Sequence, residues 1–295
     1  MPDSSSPSIV PYISSGLFCL AGAVLLWRWQ LGPAARAPQS PARKNRLPRW
    51  FLPARIFLLS CGAVLFMGLI VQGLLGRTIV TLNERFSFNS DIGRLMGDAV
   101  FKLGILFGLF LIGRLLRAAS GLPGFGVPRG LLQPASPMPV AKAALVGAGV
   151  FCVSVLLLLP ISAAWRWLLA RLGFEIPLQN LVEIFRASGS PREIGFLLFL
   201  AVVLTPVTEE LVFRGALFRY LNTRVPAWFA LLAPSVVFAG VHEHPHVTFP
   251  PLFVLAVLLS VAYRRTGSIA TPIVAHALFN LNTIALLFLV PPPAS

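Results

Sequence analysis

"IGFLLFLAVVLTPVTEELVFRG", residues 194–215, places two adjacent carboxylates and an arginine directly after a run of apolar side chains. The apolar run predicts a helix in lipid, where each ionisable group costs about 2.5 to 3.5 kcal/mol and usually faces the interior of a helical bundle. The chain holds ten Asp and Glu residues among 295. Two of them in this position therefore indicate a functional site.

The composition of the whole chain is that of a membrane protein. Hydrophobic residues make up 56% and charged residues 12%, whereas soluble domains have about 25% charged residues. We therefore expect an all-α fold, a polytopic membrane bundle of about eight transmembrane helices. Apolar runs predict them near 9–27, 56–76, 96–116, 141–169, 194–207, 227–242, 250–263 and 269–290. The first run has no basic segment before it, which favours a retained helix over a signal peptide.

The formal charge of +14 comes from basic residues that lie mainly between the apolar runs. A nucleic-acid-binding protein would gather them on one polar face among aromatic residues, so we expect no nucleic-acid partner. Basic loops mark the cytoplasmic side of a membrane. The loops at 28–55, 114–142 and 214–224 then lie inside, and both termini lie outside.

The chain divides into two parts by motif content. Residues 1–142 contain the first helices, a basic Pro-rich cytoplasmic loop and a Pro/Gly linker, and residues 143–295 contain the polar motifs. Cys19, Cys61 and Cys152 lie in separate apolar runs, so we expect small core residues and neither disulfides nor metal ligands.

Helix geometry separates the two carboxylates. Glu210 and Arg214 are four residues apart and share one helix face, whereas Glu209 is turned about 100° around the axis. Glu210 is thus placed to bind Arg214, and Glu209 is left to act as a general base on water. The alternative is an ordinary ion pair at a helix end near the membrane interface.

Two further motifs place polar residues at helical spacing. "FAGVH" puts Phe238 and His242 on one face, and "HALFN" does the same for His276 and Asn280. His276 and Asn280 together could donate hydrogen bonds to a developing oxyanion. Alternatively, they cross-link helices by polar contacts in lipid.

"HEHPH", residues 242–246, matches the helical zinc-protease pattern H-E-x-x-H. Pro245 removes a backbone donor and disfavours helix for the residue before it. We therefore expect the helix to end here, His244 to be extended, and His244 and His246 to be loop residues that are solvated or bind metal adventitiously.

Taken together, "EELVFR", "FAGVH" and "HALFN" resemble the motifs of the CAAX prenyl protease and bacteriocin-processing (CPBP, or Abi) family of intramembrane metalloproteases, type II CAAX prenyl endopeptidase-like. The resemblance covers about residues 194–290. It implies an intramembrane endopeptidase with these site residues: Glu209 as the base, assisted by His242; Glu210 and Arg214 as structural or orienting groups; His276 and Asn280 as oxyanion donors. It also implies a membrane-embedded or membrane-associated protein or peptide substrate and a location in the bacterial cytoplasmic membrane.

Family members are commonly described as metalloproteases, which makes Zn²⁺ or another divalent metal a possible cofactor. Glu209, His242 and His276 would form a three-ligand set with an open position for water. A glutamate–water mechanism would use the same residues.

Depth in the membrane is a difficulty for this site. At about 1.5 Å per residue, His242 falls roughly 23 Å from the cytoplasmic side, and Glu209 and His276 fall roughly 8 to 12 Å from it. They meet only if a helix is tilted, broken or re-entrant. Candidate breaks are Pro206, Pro234 and Pro272.

Two other functions fit the same sequence. A non-catalytic membrane scaffold or bacteriocin-immunity protein of the same family would keep the polar network for folding or partner binding. A proton-coupled transporter would use the carboxylate and histidines as a relay, but the absence of repeated halves argues against it.

Overall fold

The computed structural model describes residues 10–37, 45–47, 50, 52–86, 90–119, 138–177, 183–185, 188 and 190–289, which form helices and no strands. The helices are α1 Val10–Leu26, α2 Pro33–Arg36, α3 Ala54–Phe86, α4 Ser90–Ala118, α5 Val140–Arg171, α6 Pro191–Leu221, α7 Ala227–Gly240, α8 Pro245–Thr266 and α9 Ala270–Leu289. The predicted Pro/Gly linker after α4 lies outside the described residues, as does part of the basic loop before α3.

Six helical segments of the described chain are long and apolar enough to cross a membrane. They are Val10–Arg36, Ala54–Phe86, Asp91–Ala118, Val140–Arg171, Pro191–Leu221 and Pro245–Thr266. Helices α7 and α9 are shorter apolar helices. The protein is thus an integral, multi-pass helical bundle as predicted, although a count of eight spans is not confirmed.

Helix α6 is longer than the apolar run predicts. It continues past residue 207 to Leu221, because the polar side chains that suggested a helix end point into the bundle. The stretches Leu200–Leu204 and Leu211–Phe218 have π-helical hydrogen bonding and flank Thr205–Glu210. Such π-bulges are frequent at functional sites.

The bundle is built around α5, α8 and α9. Helix α1 packs along α5, α3 packs along α4, and α4 contacts α6. The core between α5, α8 and α9 consists mainly of small and branched apolar residues, namely Val150, Leu158, Leu255, Leu259, Ala262 and Ala275. Helices on both sides of the predicted boundary at residue 142 are therefore in contact, and the division into two parts stays a prediction.

A close crossing of α5 and α9 fixes the position of α9. A Cβ atom on Gly147 would lie 2.7 Å from the backbone oxygen of Thr271. The Thr271 hydroxyl donates to the backbone oxygen of Ala143 over 3.2 Å. The glycine thus allows the approach that places His276 inside the bundle.

We expect Gly147→Val to lower the free energy of unfolding by about 1 to 3 kcal/mol, because the new side chain forces α5 and α9 apart. Gly62→Val on α3 is the matched control, since no heavy atom lies within 4 Å of a Cβ built there. The measurement is thermal unfolding in detergent. Equal effects of the two substitutions would contradict the close crossing.

Candidate active site

A fully buried ion pair lies at the centre of the bundle. Nη1 of Arg214 donates to Oε1 of Glu210 over 2.7 Å, and the two side chains are 1% and 0% exposed. Nη2 of Arg214 donates to the backbone oxygen of Ala256 on α8 over 3.1 Å, and its Cζ lies 4.6 Å from the centroid of the Phe238 ring. The predicted pairing is confirmed, and its burial in the middle of α6 sets it apart from an ordinary pair at a helix end.

His276 on α9 binds the same carboxylate. Its Nδ1 lies 2.9 Å from Oε1 of Glu210, and because a carboxylate accepts hydrogen bonds, Nδ1 is the protonated nitrogen that donates. Nε2 of His276 then faces Oε2 of Glu209, at 3.9 Å. One oxygen of Glu210 thus joins α6 to α9 and sets the orientation of the imidazole ring.

His242 reaches the site from the turn after α7. Its Nδ1 lies 2.6 Å from the backbone oxygen of Phe238. That oxygen lies in the last turn of α7, where carbonyl groups have no partner within the helix. Nδ1 therefore donates, and Nε2 faces Oε2 of Glu209 at 4.0 Å.

The turn at 241–244 brings His242 to the other site residues. Helix α7 ends at Gly240, and the His242 ring folds back onto Phe238, with 4.6 Å between ring centroids. Phe238 in turn meets His276 edge-on, at 6.0 Å. The candidate breaks Pro206, Pro234 and Pro272 each lie within a helix, and Pro206 comes just after the π-helical stretch Leu200–Leu204.

Glu209 and Glu210 differ in accessibility as well as in partners. The side chains of Glu209 and His242 are 21% and 25% exposed, whereas Glu210 is fully buried. Distances of 3.9 and 4.0 Å from Oε2 of Glu209 to the two Nε2 atoms exceed a direct hydrogen bond and suit a bridging water. The Glu209 side chain is thus partly exposed, whereas its Oε2 atom is buried and has no hydrogen-bond partner among the described residues.

Asn280 lies one turn beyond His276 on α9 and binds a different part of α6. Its Nδ2 donates to the backbone oxygen of Ala201 over 2.8 Å. His276 and Asn280 therefore cross-link α9 to α6, as the structural interpretation of "HALFN" predicts. The role of Asn280 as an oxyanion donor stays a prediction.

The "HEHPH" segment does not form a zinc-protease helix. Helix α7 ends before it and α8 begins at Pro245, so the predicted helix end is confirmed. His244 is left-handed, with φ 49° and ψ 61°, and not extended as predicted. His246 is exposed as expected but lies in the first turn of α8, not in a loop, and its backbone oxygen accepts a hydrogen bond from Nε1 of Trp165 over 2.8 Å.

The predicted metal ligands do not have the spacing of a zinc site. Zinc ligands lie about 2.0 to 2.2 Å from the ion, so atoms in a tetrahedral set are about 3.4 Å apart. Oε2 of Glu209 lies 3.9 and 4.0 Å from Nε2 of His276 and His242. Across the described residues, no group of three or more His, Cys, Asp or Glu side chains has metal-site geometry. The three cysteines are free, as predicted, but each is only partly buried.

Comparison with known proteins agrees with this arrangement. Residues 191–282 match the family model described as "Type II CAAX prenyl endopeptidase Rce1-like". Those residues run from the start of α6 into α9 and include every predicted site residue. The segment 191–282 is similar to that family. The resemblance seen in the three motifs is thereby confirmed for this segment.

Two curated relatives have names that state no activity. The "Uncharacterized 24.3 kDa protein" of Escherichia coli is 27% identical over 156 residues, covering 52% of this chain and 63% of its own length. The "UPF0177 protein YbdI" of Lactococcus lactis subsp. lactis (strain IL1403) is 25% identical over 89 residues, covering 30% of this chain and 48% of its own length. The chain thus spans less than two thirds of the length of these relatives. No solved structure matches.

Two contacts of the Rce1-like segment have no clear sequence signal. The backbone oxygen of Ala256 accepts from Arg214, and backbone acceptors cannot be recognised from residue type. The ring of Phe238 packs against the Arg214 guanidinium. The motif "FAGVH" predicts only that Phe238 lies on the same helix face as His242.

We expect Arg214→Met to lower the free energy of unfolding by about 3 to 5 kcal/mol, because it leaves Glu210 as an uncompensated buried charge. Adding Glu210→Leu should restore part of that loss. The control is Glu209→Gln, which removes a charge from an accessible side chain and should have a small effect. Thermal unfolding in detergent measures all three, and equal losses in Arg214→Met and Glu209→Gln would be inconsistent with the separate roles.

Proposed function

We propose that this protein is an intramembrane endopeptidase that hydrolyses a peptide bond of a membrane-associated protein or peptide, in the bacterial cytoplasmic (inner) membrane. The observation that carries the proposal is Oε2 of Glu209, which lies 3.9 and 4.0 Å from Nε2 of His276 and His242. A water between these atoms has a base on one side and two oriented imidazoles on the other. The Rce1-like match of residues 191–282 supports the same chemistry.

The proposed hydrolysis requires different roles of the two histidines at their Nε2 atoms. Nδ1 of His276 already donates to Glu210, and the mechanism requires that Nε2 of His276 carries a proton as well. Nε2 of His276 then becomes a donor, while Nε2 of His242 stays an acceptor because its Nδ1–H is bound to the Phe238 oxygen.

Each step of hydrolysis then has a group to perform it. Glu209 takes a proton from the water while Nε2 of His242 accepts a hydrogen bond from the other proton and orients the oxygen. The oxygen attacks the carbonyl carbon, and Nε2–H of His276 stabilises the oxyanion that forms. When the C–N bond breaks, the proton held by Glu209 passes to the leaving nitrogen.

Glu210 and Arg214 position these groups and do not touch the substrate. The pair is buried, and its bonds to His276 and to the Ala256 backbone hold the imidazole before the substrate arrives. Fixed dipoles and charges of this kind require no reorganisation during the reaction.

We expect Glu209→Gln and His242→Ala each to lower turnover by about 10² to 10⁴-fold, because each loses part of the proton-transfer machinery. His276→Ala should lower it by about 10² to 10³-fold through the lost oxyanion donor. Glu193→Gln is the control, because it removes a carboxylate from the first turn of the same helix, α6.

The measurement for these variants begins with membranes that contain the wild-type or the Glu209→Gln protein. New protein N-termini found only with the wild type identify the cleaved bond, and a peptide containing that bond then gives turnover for each variant. Wild-type turnover in all three site variants would rule out the mechanism.

A non-catalytic scaffold or bacteriocin-immunity protein is the second candidate function. Its support is the structural cross-linking of α9 to α6 by His276 and Asn280. Under this function, Glu209→Gln would keep the biological effect of the wild type at equal expression, whereas Arg214→Met would abolish it through instability. If Glu209→Gln loses the biological effect at equal expression, the result favours the peptidase over the scaffold.

Chelation tests the possible metal dependence. Because Glu209, His242 and His276 are too widely spaced for zinc, we expect turnover of the purified protein to be unchanged after dialysis against a chelator. Loss of turnover that Zn²⁺ restores would show instead that the three ligands close around an ion.

A further inference from the structure

A second feature of the molecule lies away from the catalytic groups, at the end of the bundle where α3 begins and α4 ends. An open, almost entirely apolar cavity of about 190 Å³ lies there between α3, α4 and α6. Its walls include Val64 and Leu65 of α3, Leu109 of α4 and Ala216 of α6.

Two residues that line the cavity are tied to the chain after α6. Trp50 and Leu52 are lining residues, and their backbone oxygens accept hydrogen bonds from the Arg224 guanidinium. The Thr223 hydroxyl also donates to the Trp50 oxygen, over 3.2 Å. Trp50 and Leu52 are thus fixed to the chain just after α6.

The indole of Trp50 points to a ligand. Its side chain lines the cavity and is 7% exposed, yet its Nε1–H has no hydrogen-bond partner among the described residues. A buried donor without an acceptor costs about 1 to 3 kcal/mol. An acceptor from a bound molecule would remove that cost.

Arg117 supplies charge at the same end. It is an exposed residue of the cavity wall in the last turn of α4, and its Nε–H is bound to the Gly113 oxygen. The loops at 28–55 and 114–142 are basic, which places this end on the cytoplasmic side. From Arg117 to Leu109 the cavity runs about 12 Å into the membrane, at 1.5 Å per residue.

We propose that the cavity binds an anionic phospholipid of the cytoplasmic leaflet. Part of one acyl chain fills the apolar cavity, an ester carbonyl accepts the Trp50 indole hydrogen, and the phosphate lies against the guanidinium of Arg117. Basic pockets between helices on the cytoplasmic side recognise anionic head groups in this way. The guanidinium of Arg117 favours an anionic head group over a neutral one, and a soluble phosphate would leave the apolar walls uncovered.

The bound chain would connect the α3–α4 pair to the catalytic helix. Val212, Ala216 and Leu217 line the cavity, and all three lie in the π-helical stretch Leu211–Phe218 that follows Glu209 and Glu210. Filling the cavity therefore stabilises the part of α6 that holds Arg214.

The experiment uses the full chain in detergent, exposed to vesicles of phosphatidylcholine with or without phosphatidylglycerol. Native mass spectrometry counts the retained lipid, and thermal unfolding reports the stabilisation. We expect preferential retention of phosphatidylglycerol with a higher unfolding temperature, and an about fivefold weaker preference in Arg117→Gln. Arg77→Gln is the matched control, because it removes an exposed arginine from the opposite, non-cytoplasmic end of the α3–α4 pair and should keep the preference.

Two cavity variants test the other contacts. Trp50→Phe should weaken retention through the lost donor, and Ala216→Phe should abolish it by filling the apolar part. Undiminished retention in Ala216→Phe, or equal losses in Arg77→Gln and Arg117→Gln, overturns the proposal. Two further results would overturn the proposal. One is that glycerol phosphate competes with phosphatidylglycerol for the cavity, and the other is that a lipid-modified peptide displaces phosphatidylglycerol.

The proposal does not depend on the proposed peptidase activity. Glu209→Gln should retain phosphatidylglycerol as the wild type does, whether or not the protein cleaves a substrate. A failure of either proposal is thus distinguishable from a failure of the other.

Discussion

Oxygen Oε1 of Glu210 is the acceptor on which the arrangement of the catalytic groups depends. It receives the Arg214 guanidinium at 2.7 Å and the His276 imidazole at 2.9 Å. Through Arg214 it is connected to the α8 backbone and to the Phe238 ring, and through His276 to α9. Four helices thus meet at one carboxylate, in a medium where an isolated charge would be strongly disfavoured.

This constraint explains why neighbouring carboxylates have different properties. Once α6 turns Glu210 towards the bundle centre, helix geometry turns Glu209 towards the turn after α7. Oε2 of Glu209 has no direct hydrogen bond to His242 or His276, whose Nδ1 atoms are bound to other acceptors. The buried pair of Glu210 and Arg214 fixes the geometry of the site, and Glu209 is the residue that we propose acts on water.

The sequence predicts the helical class and the separation of Glu209 from Glu210, because these follow from helix periodicity and from the cost of charge in lipid. The grouping of the three motifs follows from their resemblance to a known family. It does not predict the length of α6, since polar residues directed at the interior look the same as a helix end. The left-handed His244 could not be predicted either, because proline disfavours helix before it without specifying which other conformation is adopted.

The position of Trp50 at the apolar cavity could not be predicted from the sequence either, for a different reason. Its partners are Arg224 and Thr223, more than 170 residues away in the chain. No local pattern records such contacts. The same holds for Phe238. Its motif predicts the helix face on which it lies, but it does not predict that the Arg214 guanidinium packs against its ring.

Helix α7 has a consequence for the surrounding bilayer. Its 14 residues span about 21 Å, whereas the hydrocarbon layer is about 30 Å thick. Lipids beside such a short helix thin locally, or water enters above its end. The turn that holds His242 lies at that end, so the proposed hydrolysis could draw its water through a local depression of the membrane surface, and thicker bilayers would restrict that supply.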